Sequence, residues 1–407
     1  MVHSDDITLI HATDMHYISP RINDNSPRFI EMLLEGDGKM THYCEQVAEA
    51  FVDDVIRKKP DAVLVGGDIS FNGEKASIED YAEKLARIEE RGIQVLVIPG
   101  NHDIDYPFAF EYKDDSRTLT DRITKEDFEH IFNDFGYSEA LSRDKDSLSY
   151  IYQVSDRVYV VAIDTSTQNY LQIPLLSQES CEWLERELGK LPEDAIVISL
   201  THQSLLEHYP GIETGNIRTI VNGDRVARIL RDNGVRLNLS GHIHVRDIVT
   251  DGDMTDIATV SMAVLSADYG VIEISDGKRK YHTESTDLAR WARQTGNDDG
   301  NLSDYASYAL GFWIKGQSES FRTRLAENSL TEEELVLVTE FLTEANAYRF
   351  MGKLDEHAQE LKSRKEYEKT ASLAEEGQIG NLDTLLYGLE SPGNGQDECT
   401  VVLYTEE

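Results

Sequence analysis

Short apolar runs rich in β-branched residues recur along this chain, each soon followed by glycine, aspartate or histidine. They are Ile7-Thr8-Leu9-Ile10, Ala62-Val63-Leu64-Val65, Val95-Leu96-Val97-Ile98, Ala195-Ile196-Val197-Ile198 and Val235-Arg236-Leu237-Asn238-Leu239. Bounded runs of this kind predict buried strands. Between them the period changes: Val47, Phe51, Val52, Val55 and Ile56 recur at helical spacing, as do Ile78, Ala82, Leu85 and Ile88. Strand-helix alternation predicts an α/β fold, a parallel sheet with helices on its faces.

Other segments are read in the same way. Residues 148–154 and 158–163 predict a hairpin, and 178–188 a helix. Strands are expected over 258–264, 270–274 and 278–282, with Asp276-Gly277 as a hairpin turn. The stretch 111–146 is polar and acidic. Within it 125–135 reads as helical, and 111–120 as an irregular loop near the site, a candidate lid. Composition shifts at Gln294-Thr295-Gly296-Asn297-Asp298-Asp299-Gly300, a linker signal. Beyond it the pattern is helical to about residue 390. Ser329-Leu330-Thr331-Glu332-Glu333-Glu334 reads as a helix start, and Leu335, Val338, Phe341, Leu342 and Ala345 share one apolar face. The expected organisation is a catalytic domain over 1–293 and a helical domain over 300–407. The latter ends in a turn-rich tail at Pro392-Gly393-Asn394-Gly395, then an apolar stretch, Val401-Val402-Leu403-Tyr404.

Chemistry enters just after the five strand-like runs. There stand Asp14-Met15-His16, Gly67-Asp68, Gly100-Asn101-His102-Asp103, Thr201-His202 and Gly241-His242-Ile243-His244. Carboxylate, imidazole and amide oxygen all bind hard or borderline divalent metals. Taken singly the motifs are weak: Gly-Asp is a common turn, and a histidine pair also suits a surface loop. In this order they place every donor beyond the carboxyl end of a strand, where α/β sheets bind their ligands.

On these motifs the chain resembles the calcineurin-like metallophosphoesterases over roughly residues 7 to 290. More narrowly it resembles bacterial class III cyclic nucleotide phosphodiesterases of the form that carries a helical C-terminal domain. The resemblance implies a four-layer αββα sandwich, with the strands expected over 258–264, 270–274 and 278–282 adding to its second sheet. It also implies two divalent metals, manganese, iron or zinc, about 3.5–4 Å apart. By that resemblance Asp14, His16 and His244 hold the first metal; Asn101, His202 and His242 hold the second; and Asp68 bridges both. A hydroxide between the metals attacks phosphorus in line. His102 meets the leaving oxygen, with Asp103 orienting its ring or, on the plainer reading, capping a turn. His11 reads as a packed strand histidine and Tyr17 as ordinary packing. His3, His42, His130, His208, His282 and His357 have no motif context.

Departures from the pattern narrow the branch. After Gly67-Asp68 comes Ile69-Ser70-Phe71-Asn72-Gly73. It lacks the arginine that protein phosphatases use here, and Phe71 stands where purple acid phosphatases have a ligating tyrosine. The net charge of −37 disfavours long nucleic acid, whose binding depends on many Lys and Arg contacts. The expected substrate is therefore a small phosphoester, above all a cyclic nucleotide or another small diester. A phosphomonoesterase, a nucleotide or phospholipid head-group hydrolase, or a non-catalytic nucleotide- or protein-binding scaffold are the alternatives. Three cysteines imply no disulfide framework, and no run is apolar enough to span a membrane. As given, the chain reads as cytoplasmic, and an exported, trimmed form is compatible with it.

Overall fold

The structure is a computed structural model that describes residues 6–36, 38–166, 173–208, 219–275, 278–390 and 398–402. In chain order, β1 (Ile7–Ala12) leads through α1 (Pro27–Glu35) and α2 (Cys44–Lys58) to β2 (Ala62–Val65), and α3 (Lys75–Glu89) leads to β3 (Gln94–Val97). A hairpin of β4 (Phe110–Lys113) and β5 (Ser116–Leu119) precedes α4 (Lys125–Ile131), β6 (Ser142–Arg143), β7 (Tyr150–Gln153) and β8 (Val158–Ile163). Next come α5 (Gln178–Leu188), β9 (Ile196–Thr201), α6 (Gly223–Asp232), β10 (Leu237–Ser240), β11 (Asp247–Asp251), β12 (Met254–Ala258), β13 (Asp268–Ser275) and β14 (Lys278–Ser285). The helices α7 (Leu288–Thr295), α8 (Gly300–Ser303), α9 (Tyr305–Leu325), α10 (Glu332–Phe350), α11 (Leu354–Lys362), α12 (Lys365–Glu375) and α13 (Thr384–Glu390) follow, and then β15 (Glu398–Val402).

Two sheets face one another. One has the order β15-β14-β13-β1-β2-β3, the other β11-β12-β10-β9-β8-β7-β6. Pairing is parallel within β1-β2-β3 and within β8-β9-β10-β12. The strand-helix alternation thus builds two parallel cores, where the apolar runs alone suggested one sheet. Alternate residues of β8 show the layering. Val158, Val160 and Ala162 join the core shared with the first sheet, and with α2 and α3 beyond it. Tyr159, Val161 and Ile163 pack with α5 and α6. Helix, sheet, sheet and helix make the four expected layers.

Four local expectations are corrected. Strands β13 and β14 extend the first sheet, because β13 pairs antiparallel with β1 and covers its free edge. Residues 259–264 are not strand: their amides turn to the loops above, with Met262 N donating to Thr13 O and Ala263 N to Asp14 O. Residues 111–120 are an ordered hairpin. Asp114 and Asp115, at φ 52° and 56°, make the tight turn, a conformation that Asp tolerates. The helix expected over 125–135 ends at Ile131, because Phe132, at φ −95° and ψ 15°, has left the helical backbone. Asp276-Gly277, Pro392-Gly393-Asn394-Gly395 and Leu403-Tyr404 lie outside the described residues; Val401-Val402 lies in β15.

The helical region starts on the first core and then builds its own. Leu302, Tyr305 and Ala309 join the sheet core, whereas Phe321, Leu325, Leu335, Val338 and the residues packed with them form a separate cluster. Thr331 caps α10 with a reciprocal Thr331–Glu334 capping box, as its sequence predicts. No helix among the described residues is long and apolar enough to cross a membrane.

One buried ion pair braces the segment after β9. His208 Nδ1 lies 2.8 Å from Asp247 Oδ2, and Nε2 lies 3.4 Å from Asp256 Oδ2. Asp256 Oδ2 also accepts from Leu205 N and Leu206 N, at 2.6 and 2.9 Å. Burial opposes a charge on His208, but the two carboxylates outweigh it and raise its pKa to about 9. A proton held more tightly in the folded chain adds stability that is complete below the unfolded pKa of 6.5 and is lost as pH rises through 9. The stability gap between wild type and His208→Gln should therefore shrink by about 3 kcal/mol on going from about pH 6 to about pH 10. Urea unfolding at several pH values checks this; a gap that stays constant would mean that His208 is neutral in the fold.

Candidate metal centre

Each motif begins where a strand of one of the two parallel cores ends: β1 before Asp14, β2 before Asp68, β3 before Asn101, β9 before His202 and β10 before His242. Beyond the strands the loops stay tied to one another. Asp14 N donates to Gly67 O at 3.0 Å, His16 N to Asp68 O at 3.0 Å, and Gly241 N to His202 O at 2.9 Å. Asp14, His16, Asp68, His242 and His244 all have positive φ, between 42° and 67°. This left-handed backbone swings their side chains into a common cavity. Glycine is required where loops cross closest. A Cβ on Gly100 would lie 2.2 Å from Asp68 Oδ1, and one on Gly241 would lie 2.2 Å from Thr13 Oγ1.

Two donor sets converge. Ligand atoms of Asp14, His16, Asp68 and His244 lie within 4.8 Å of one another, and so do those of Asp68, His202 and His242. Asp68 belongs to both. Asn101 Oδ1 stands 3.1 Å from His202 Nε2 and accepts from Gln203 Nε2 at 3.3 Å. All seven ligands expected by resemblance are thus brought together.

Each carboxylate is anchored through one oxygen and offers the other. Asp14 Oδ2 accepts from Thr13 Oγ1 at 2.8 Å and from His242 N at 2.9 Å. Its Oδ1 is buried without a hydrogen-bond partner and faces His244 Nε2 at 3.2 Å. Asp68 Oδ1 accepts from His102 N at 2.7 Å, while Oδ2 faces His202 Nε2 at 3.3 Å and His16 Nε2 at 3.8 Å. His202 Nδ1 donates to Gly66 O at 2.8 Å, which turns Nε2 toward the cavity.

The charges demand a cation. Burial alone would raise Asp14 and Asp68, yet the surrounding histidines hold both below the usual carboxylate range. Burial keeps His16 well below its ordinary value and brings His242 down to about 3, so both are neutral and able to ligate. On His202, burial is outweighed by Asp68 and Asp14, and the pKa rises to about 9. A buried carboxylate oxygen without a hydrogen-bond partner, in a cavity that the neutral imidazoles of His16 and His242 share, fits divalent cations.

His102 sits at the rim, its ring 5.1 Å from that of His16. Asp103 does not touch the His102 ring. Its carboxylate accepts from Gly100 N at 2.8 Å and from Ser70 N and Oγ, each at 2.9 Å, and so clamps the two loops together. With Ile69 N at 3.2 Å as the fourth, the donors of the crossing loops outcompete the ring, so the orienting role expected of Asp103 is corrected. Burial and the charge of Asp68 push Asp103 up to about 6. The group at the ring is Asn72, whose Oδ1 lies 3.0 Å from His102 Nδ1. Tyr106 stacks on its face at 4.7 Å. Neither carried a motif signal, because only the fold brings them to His102. His11 is buried with Nδ1 2.8 Å from Thr259 Oγ1, and Tyr17 is buried with its hydroxyl donating to Glu45, as plain packing predicts.

Two facing sheets thus carry paired donor sets for divalent cations at their strand ends. The family model described as calcineurin-like phosphoesterase matches residues 7–246, and the chain belongs to that family, whose members normally use two divalent metals. Residues 287–381 match the C-terminal domain of cyclic nucleotide phosphodiesterase. A relative from Arcobacter nitrofigilis, described as a probable glycerophosphodiester phosphodiesterase, is 24% identical over 191 residues, 46% of this chain and 58% of that protein. This chain therefore spans less than two thirds of that relative's length. Among solved structures, a dimetal phosphatase from Danio rerio is 14% identical, covers 69% of this chain and 96% of its own, and has a TM-score of 0.47. A purple acid phosphatase from yellow lupin is 12% identical over 70% of this chain and 52% of its own, at 0.45.

Because Gly100→Ala must displace Asp68, it should weaken Mn²⁺ binding by about tenfold or more while leaving the far-ultraviolet circular dichroism unchanged. Calorimetric titration of wild type and variant is the check; equal affinities would place the metal away from Asp68.

Proposed function

We propose that this chain is a dinuclear metal-dependent phosphodiesterase for small diesters, with cyclic nucleotides as the first candidates. The observation that carries this reading is the sharing of Asp68 between two donor sets that each draw on both sheets. In it Asp14, His16 and His244 would hold one cation, Asn101, His202 and His242 would hold the other, and Asp68 would serve both. Such cations supply positive charge against the phosphoryl oxygens and the acidity that makes water a nucleophile at neutral pH. The residues do the rest. The anchored oxygens of Asp14 and Asp68 fix the donor geometry. Asn72 Oδ1 accepts from His102 Nδ1, so Nε2 is the ring atom left at the leaving oxygen; as the imidazolium, with its second proton taken up from solvent, it would donate that proton to the leaving oxygen. Asp103 keeps the Asp68 and Asn101 loops in register.

The match of residues 287–381 to a cyclic nucleotide phosphodiesterase domain favours that substrate and supports reading a second, helical domain, while β15 at 398–402, expected within 300–407, belongs instead to the first sheet. The glycerophosphodiester named for the Arcobacter relative is the competing diester. Loaded with manganese, the enzyme should turn over 3′,5′-cyclic AMP with kcat/KM of about 10⁴ M⁻¹s⁻¹ or more. A value orders of magnitude lower would make the cyclic nucleotide an incidental substrate. His102→Ala should keep its metal by elemental analysis and lose about 10²-fold or more in kcat; an undiminished rate would remove His102 from the reaction.

A further inference from the structure

Beside the centre opens a cavity of about 650 Å³, walled by Phe71, Tyr106, Phe108, Phe110 and Tyr112. Two of its lining residues also touch His102: Tyr106 stacks on the ring, and Asn72 holds Nδ1. The cavity therefore adjoins the site through these two residues. Its aromatic rings come from two sources. Tyr106 and Phe108 follow the Gly100–Asp103 motif directly. Phe110 and Tyr112 belong to β4, and the hairpin's second strand brings Arg117 over the Phe110 ring, 5.1 Å from its centre. Phe108 is 58% exposed, its ring 5.8 Å from that of Tyr106. A large aromatic side chain held open at the mouth of a cavity has no packing role there.

The cavity also holds cations. Lys39 and Arg117 line it, in a chain whose net charge is −37. Lys39 stands toward the metal centre: the next residue, Met40, donates its N–H to Ala263 O at 2.7 Å, and Ala263 N donates to Asp14 O at 3.2 Å. Aromatic faces together with cations select among diester substituents. A choline or ethanolamine group suits an aromatic cage, but here it would meet Lys39 and Arg117, and the guanidinium already covers Phe110. A lipid chain needs continuous apolar walls, and Asn72, Lys39 and Arg117 interrupt these. A flat, uncharged heteroaromatic ring attached to an anionic phosphate satisfies both features, and 650 Å³ lies within the usual range for small-molecule sites.

We propose that this cavity receives the nucleobase of a nucleotide diester between Tyr106, Phe108 and Phe110, with Lys39 facing its phosphate, and that it selects nucleotides over glycerol-based diesters. The proposal rests on the phosphodiesterase reading above for the site it adjoins. The test uses the manganese-loaded full chain and two probes, AMP and ribose 5-phosphate, which share a phosphoribosyl group and differ in the base. By calorimetry AMP should bind at least about tenfold more tightly, since stacking on aromatic residues carries a gain of that order. Phe108→Ser, an exposed position, should bring that ratio toward one, and Arg117→Gln should reduce it by a smaller factor. Equal affinities in wild type, or an unchanged ratio in Phe108→Ser, overturn the proposal. Hydrolysis of 3′,5′-cyclic AMP and of glycerophosphocholine is measured in parallel. If neither is cleaved while AMP still outbinds ribose 5-phosphate, the phosphodiesterase reading fails and the base site stands.

Discussion

Two carboxylates, Asp14 and Asp68, are buried in one cavity and held ionised, and the centre is organised around that fact. Like charges at this depth repel strongly and lose their water. The protein answers with a division of labour on each group. One oxygen is satisfied inside the chain, by Thr13 and the His242 amide on Asp14, and by the His102 amide on Asp68. The other oxygen is left for the cavity. The anchoring amides belong to residues that are themselves at the site, so the donors position one another. Losing one carboxylate would release a histidine loop as well as a ligand.

The same constraint explains the unusual backbone. Five of the seven candidate ligands adopt left-handed φ, a conformation costing on the order of 1 kcal/mol or more for each non-glycine residue. Strands arriving in parallel point their ends the same way, and a sharp turn just beyond each end is the shortest route into a shared cavity. Hydrogen bonds between loops hold these turns. Ser261 Oγ donates to Asp14 O at 2.8 Å, and Asp103 ties the Asp68 loop to the Asn101 loop. Much of the surrounding structure serves as a frame that keeps strained loops strained.

What was legible in the sequence follows from how local the signal is. Strands β1, β2, β3, β9 and β10 announce themselves as apolar runs, α5 matches its expected bounds, and Thr331 signals the start of α10 through its own capping chemistry. The ligands were legible because each sits one to four residues beyond a strand. The division into two sheets was not, because runs buried on both faces look alike whichever sheet they enter. Residues 259–264 are as apolar as a strand, and only their hydrogen bonds to the Asp14 loop make them otherwise. The hairpin at 110–119 escaped notice because its turn is Asp-Asp, without the glycine that marks such turns, and β5 is exposed throughout. Asn72 carried no signal, and the orienting reading of Asp103 fails while its turn-capping alternative fits, for one reason: sequence adjacency put Asp103 beside the His102 ring, whereas the folded loops put Asn72 there.

Strand β15 lies after all seven C-terminal helices yet pairs with β14, from Lys278↔Val402 to His282↔Glu398, on the first sheet. Topologically the helical region is an insertion into that sheet rather than an appendage to it. Severing the chain in the turn at residues 296–299 would strip a border strand from the catalytic layers and leave the β14 amides open to a neighbouring molecule. The two regions are thus spliced as well as packed, and a clean separation would need β15 supplied from elsewhere, by circular permutation or as a second polypeptide.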